Sequence, residues 1–152
     1  MKINEHDIRR LMKLILANGQ ITEIRCLKAR SNSEPHYMKK TKAGYFNNPD
    51  SVIEALKGIA DAGAVYFTPN PVDPQLLGRA NNKLDDLSNT TSDKDIINRK
   101  FFLIDVDPIR PAGTPSNDLQ HQYALDVTHK IKKYLDGCGW SSPIIADSGN
   151  GG

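Results

Sequence analysis

The amino-acid sequence predicts an α+β fold, a mixed α/β sandwich of sheet and helices. Three observations carry that expectation. Apolar residues recur at helical spacing in residues 5–18 and 118–135. Short apolar, β-prone runs stand at 64–68 and 101–106, and proline, glycine and asparagine clusters separate the segments. With 152 residues and no internal repeat, the chain has material for a single domain with one core.

Ile8, Leu11, Met12 and Ile15 give residues 5–18 one apolar face, with Asn4 to cap the start and Asn18-Gly19 to end it. Residues 21–27 set Ile21, Ile24 and Cys26 against charged neighbours and read as a strand. Residues 30–42 are polar and basic, with Ser31-Asn32-Ser33 and Pro35, and read as a loop. Pro49, just inside a start at Asn48, opens a second helix, since a proline there forfeits no hydrogen bond. Its apolar face is Val52, Ile53, Leu56 and Ile59, and Gly63 follows its end. Residues 64–68 are expected as a short buried strand, stopped by Pro69-Asn70-Pro71, with a short helix inside 74–84 and a polar connection at 85–93.

The run at 101–106, FFLIDV, is too short for an independent helix and reads as a central strand. The proline-rich stretch 108–115 continues neither a ladder nor a helix. Leu119, Tyr123, Val127, Ile131 and Leu135 form one stripe along a long helix, ended by Gly137 and Gly139. Residues 143–146 start a last expected strand. It leads into Asp147-Ser148-Gly149-Asn150-Gly151-Gly152, a small-residue turn of the kind found near ligands, and the chain reads as cut short there.

Several classes are set aside. No apolar run approaches the roughly 18–20 residues of a membrane helix. The start, MKINEHDIRR, carries charge where a signal peptide is apolar. Cys26 and Cys138 have neither CxxC nor Cys/His zinc spacing, so a cytoplasmic protein with reduced thiols is expected. A net charge of +2 neither requires nor excludes nucleic acid. Up to Gly44, however, basic residues, among them Arg25, Lys28 and Arg30, outnumber the acids, and the remainder is net acidic. That distribution suits a polyanionic substrate; a solvated surface is the plainer account.

The chemistry concentrates at Asp105 and Asp107. Strand alternation puts both carboxylates on one face, about 6–7 Å apart. Such a pair can hold Mg²⁺ or Mn²⁺, which prefer hard oxygen ligands and activate phosphates. An acid inside FFLID is also costly to bury unless a cation or hydrogen bonds compensate it. A bare DxD has other uses: capping a strand end, the nucleophile of haloacid-dehalogenase phosphatases, or the metal-sugar-nucleotide site of glycosyltransferases. Ile109 and the late position of the motif count against the phosphatase. Arg110, just past the acids, is a candidate triphosphate ligand. Tyr45, Phe46 and Tyr66 are candidates to stack on bases, with core packing the alternative, above all for Tyr66. His121 and His129 lie about 12 Å apart along one helix, too far to share a metal, and read as surface residues.

The string SDKDIINRKFFLIDVDPIRPAG, followed after a helix by IIADSGNG, resembles the archaeo-eukaryotic primase superfamily, most nearly the primase-polymerase domains of phages, plasmids and other mobile elements. TEIRCLKA, AGYFNNPDSVIEAL and GAVYFTPNPVDPQLLGRANNKL look like that group's N-terminal module, so the likeness spans nearly the whole chain. It implies an N-terminal α/β module over about 1–90 and the first part of an RRM-like, metal-binding module over about 91–152. It implies that Asp105 and Asp107 hold the catalytic Mg²⁺ or Mn²⁺, and that Ser148, Gly149 and Asn150 lead into a turn contacting nucleotide phosphates. The family's histidine after that turn and its third acidic ligand fall beyond this sequence. The implied function is DNA primase/polymerase activity, with a single-stranded template and nucleoside triphosphates as partners, Arg25, Lys28 and Arg30 toward nucleic acid, and a helicase in the full-length protein. The alternative is a non-catalytic module that binds single-stranded nucleic acid or a nucleotide, or self-associates through an exposed sheet edge; a metal-dependent phosphatase ranks third.

Overall fold

A computed structural model describes residues 1–147 and divides the chain into two units, Met1–Phe102 and Leu103–Gly152. In the first unit, helix α1 (Glu5–Ile15) begins where the Asn4 side chain accepts the Asp7 amide. Strand β1 (Thr22–Ser31) is the middle of an antiparallel sheet. Strand β2 (Lys40–Phe46) pairs along one side of it. Strands β3 (Ile59–Asp61) and β4 (Ala64–Phe67) share the other side, β4 against residues 24–27 and β3 against Arg30 and Ser31. Helix α2 (Pro49–Lys57) connects β2 to β3, and the Asn48 side chain accepts the Asp50 amide at 2.8 Å to start it.

The helices cover one face of the sheet. Met12 and Ile15 of α1 and Val52 and Leu56 of α2 pack on Ile24, Cys26, Ala29 and Phe46. Burial pushes the Cys26 thiol up to about 11. Alternation sends Tyr45 to the opposite face, where a smaller cluster of Ile21, Tyr45, Val72 and Leu76 forms with the 3₁₀ turn Pro74–Arg79. The fold is α+β: a four-stranded antiparallel sheet with helices.

The two sheet edges differ. Along β2, Ala43 and Asp85 exchange amide hydrogen bonds at 2.9 Å, and Tyr45 donates to the Ala80 carbonyl at 3.0 Å, so residues 80–85 close that edge. Along β4, no further strand pairs among the described residues, and Val65, Tyr66 and Phe67 are exposed.

Several expectations are corrected. β1 continues past Leu27 to Ser31 through a bulge at Lys28, whose φ is 48°. The expected loop at 30–42 ends at Lys40, because KTKAGYF pairs on both sides despite its lysines and glycine. Ile59 belongs to β3 rather than α2. β4 is an exposed edge, not a buried strand, since its outer side has no cover. Residues 101–106 and 143–146 form no strand. A strand exists only by pairing its amides and carbonyls with a neighbour, and the second unit has no strand among its described residues to supply one. Phe101 receives a partial substitute: its amide donates to Asn70 Oδ1 at 2.7 Å, and its carbonyl accepts from Asn70 Nδ2 at 3.1 Å.

The second unit is built on helix α3 (Asp118–Gly137). Asn117 and Gln120 cap it reciprocally, side chain to amide, at 2.9 and 3.0 Å. Of its side chains only Ala124 is buried, and Leu119, Tyr123 and Val127 of the expected apolar stripe stay exposed. No helix among the described residues is long and apolar enough to cross a membrane.

Candidate functional site

In the second unit, Asp105 and Asp107 lie on a stretch without regular structure, both exposed. Pro108 and Pro111 restrict the backbone that follows, and Gly113 takes the left-handed φ of 76° that closes the turn. Thr114 fastens this turn: its hydroxyl donates to the Pro111 carbonyl at 2.7 Å. Gln120 Nε2 donates to the Ile109 carbonyl at 3.4 Å, so the α3 cap also holds the loop. Arg110 is not free. Its Nη2 donates to Asp107 Oδ1 at 3.2 Å, its Nε to Ser116 Oγ at 3.3 Å and its Nη1 to the Thr114 carbonyl at 3.5 Å.

Among the described residues no group of three or more His, Cys, Asp or Glu side chains is arranged to hold a metal ion. Asp105 and Asp107 nonetheless suit a partial site for Mg²⁺ or Mn²⁺. Their donors are hard carboxylate oxygens, they face solvent, and a guanidinium already lies on Asp107. Ions of this kind commonly take one or two carboxylates and fill their other positions with water and substrate phosphate. Ser148, Gly149 and Asn150 lie outside the described residues. Immediately before them, Asp147 Oδ1 meets His121 Nε2 at 2.9 Å, so His121, expected as a surface residue, is half-buried with a specific partner.

In the first unit the basic residues of β1 have distinct fates. Arg25 grips Glu23 with two hydrogen bonds, Nε to Oε1 at 2.8 Å and Nη2 to Oε2 at 2.9 Å. The Glu23 side chain is only 1% exposed and also accepts the Thr91 amide at 2.9 Å. Burial by itself raises the Glu23 pKa, but the hydrogen bonds from Arg25 and Thr91 outweigh it and hold the carboxyl below its ordinary value. Lys28 projects from the bulge, exposed. Arg30 Nη1 donates to the Glu34 carbonyl at 3.2 Å.

Glu23, Arg25 and Leu27 line a groove of about 380 Å³ with Tyr66, Phe67 and Thr68. The aromatic expectation is thereby redistributed. Tyr45 and Phe46 are fully buried, whereas Tyr66 is 55% exposed and Phe67 38%. Phe67, Thr68 and Glu23 had no signal of their own in the sequence. Only the pairing of Ile24 with Phe67 and Arg25 with Tyr66 brings them together.

Comparison with protein-family models, with curated proteins and with solved structures returned no match for this chain.

Proposed function

We propose that the chain is part of a primase-polymerase catalytic domain, acting in the cytoplasm in metal-dependent nucleotidyl transfer on a single-stranded nucleic-acid template. One observation carries this reading: Asp105 and Asp107 offer two exposed carboxylates between an apolar run and the IRPAG loop, in the motif order FFLIDVDPIRPAG then IIADSGNG. Mg²⁺ or Mn²⁺ bound there supplies charge neutralisation at the α-phosphate, a lower pKa for the attacking hydroxyl and stabilisation of the departing pyrophosphate. Asp105 and Asp107 contribute the oxygen ligands. Arg110 and the Ser148–Asn150 stretch take the triphosphate oxygens, and Arg25, Lys28 and Arg30 lie toward the nucleic acid. Their work is positioning and electrostatics.

Manganese titration of the parent, Asp105→Ala and Asp107→Ala tests the site directly. Each variant should lose at least about tenfold in affinity, a loss that even residues behind the metal ligands can cause. Parent-like binding by both variants would sink the proposal. Extension of a primed template with nucleoside triphosphates and Mn²⁺ tests the chemistry, and should be abolished by either substitution.

The groove along β1 and β4 favours a second reading, a module that binds single-stranded nucleic acid without chemistry. Exposed Tyr66 offers a ring face for stacking, and Arg25, its partner on β1, lines the same groove. Under that reading Tyr66→Ala weakens oligonucleotide binding by about 1–3 kcal/mol, the range for one stacked base. Asp105→Ala leaves it unchanged. Fluorescence anisotropy with a labelled oligonucleotide separates the two readings.

A further inference from the structure

The Arg110 side chain is only 19% exposed, while Asp107, its one charged partner, is 62% exposed. The other two acceptors, Ser116 Oγ at 3.3 Å and the Thr114 carbonyl at 3.5 Å, are neutral and sit at the long end of hydrogen bonding. Among the described residues, Asp107 is therefore the charged contact that holds Arg110 against its loop. Asp105, two residues before it, adds a second negative charge to the same short stretch.

We propose that Arg110 is the resident counterion of the Asp107 carboxylate, exchanged for a divalent cation and thereby released to bind a nucleotide phosphate. The inference rests on reading those two acids as metal ligands. Arg110 yields its place by moving its long side chain. Once the Asp107 charge is neutralised by a dication, Arg110 keeps only two long neutral contacts and is repelled by the newcomer. Pro108 and Pro111 bracket it and stiffen the backbone, so the side chain is the part that swings. Released, its planar fork matches two oxygens of a phosphate. Metal and nucleotide binding are then coupled through one side chain.

The test is Mn²⁺ titration of the full chain, parent against Arg110→Gln, at low and at high salt. The variant should bind Mn²⁺ about fivefold more tightly at low salt, the effect of removing one unit charge at about 4 Å in water. The difference should shrink toward none near 1 M salt. Arg110→Lys, which keeps the charge, should bind Mn²⁺ as the parent does. With Mn²⁺ present, Arg110→Gln should bind a nucleoside triphosphate more weakly than the parent. An Arg110→Gln affinity for Mn²⁺ equal to or below that of the parent overturns the counterion role and leaves Asp105 and Asp107 as ligands. No Mn²⁺ binding by the parent overturns the metal reading and this inference together.

Discussion

A methyl group at Gly44 would lie 1.8 Å from the Lys83 carbonyl oxygen, well inside any real contact. Relief requires pulling residues 80–85 off β2 and losing the Ala43–Asp85 amide pair. Gly44→Ala should therefore cost about 1–3 kcal/mol, the range for overpacking, measured by denaturant unfolding. Glu23 makes the complementary point for charge. It is buried and ionised because Arg25 and Thr91 hold it, so Arg25→Ala should cost about 3 kcal/mol by leaving a buried carboxylate without its cation. The same unfolding experiment reads it, and the result also shows how far Arg25 serves the fold apart from any ligand. Neither residue announces this in sequence. Lys83 and Thr91, which define their surroundings, are far along the chain.

At the scale of elements, a polar staple ties β2 to its neighbours. Lys42 Nζ donates to Glu34 Oε1 at 2.8 Å and Asp86 Oδ1 at 2.7 Å, and Lys40 Nζ reaches Asp86 Oδ2 at 2.6 Å. The hydrogen bond from Lys42, with others from Ser31, pulls the Glu34 carboxyl down to about 2. A folded pKa below the unfolded value, about 4.3, means stability that is complete above that value and lost as pH falls toward 2. Thermal midpoints measured from pH 5 to pH 2 should fall less steeply in Glu34→Gln than in the parent. The helix starts at Asn4 and at Asn48-Pro49 were legible because a cap is local chemistry within one turn. β2 was not, because lysine and glycine become strand residues only with β1 and residues 80–85 on either side.

Over the whole chain, packing is unevenly shared. Both core clusters belong to the first unit, whereas α3 buries only Ala124. Amide exchange should follow that distribution. Residues 24–26 of β1, paired on both sides, should exchange slowest, and 103–110 near the rate of an open chain. Mass-resolved exchange checks this; protection of 103–110 equal to β1 would mean that those residues pair in a way the fold does not contain. Helix α1, most of α2, α3, the α+β class and the two acids on one short stretch are legible in local composition, since periodicity and capping are properties of neighbouring residues. Which apolar runs become strands depends on the neighbours that folding brings to them. FFLIDV has all the β-prone composition that AVYF has, yet AVYF pairs with β1 and FFLIDV forms no strand. Likewise the acids were visible in the sequence, but the guanidinium resting on one of them was not. A strand or an ion pair is a relation between two segments, and its second partner is found only where the folded chain brings it.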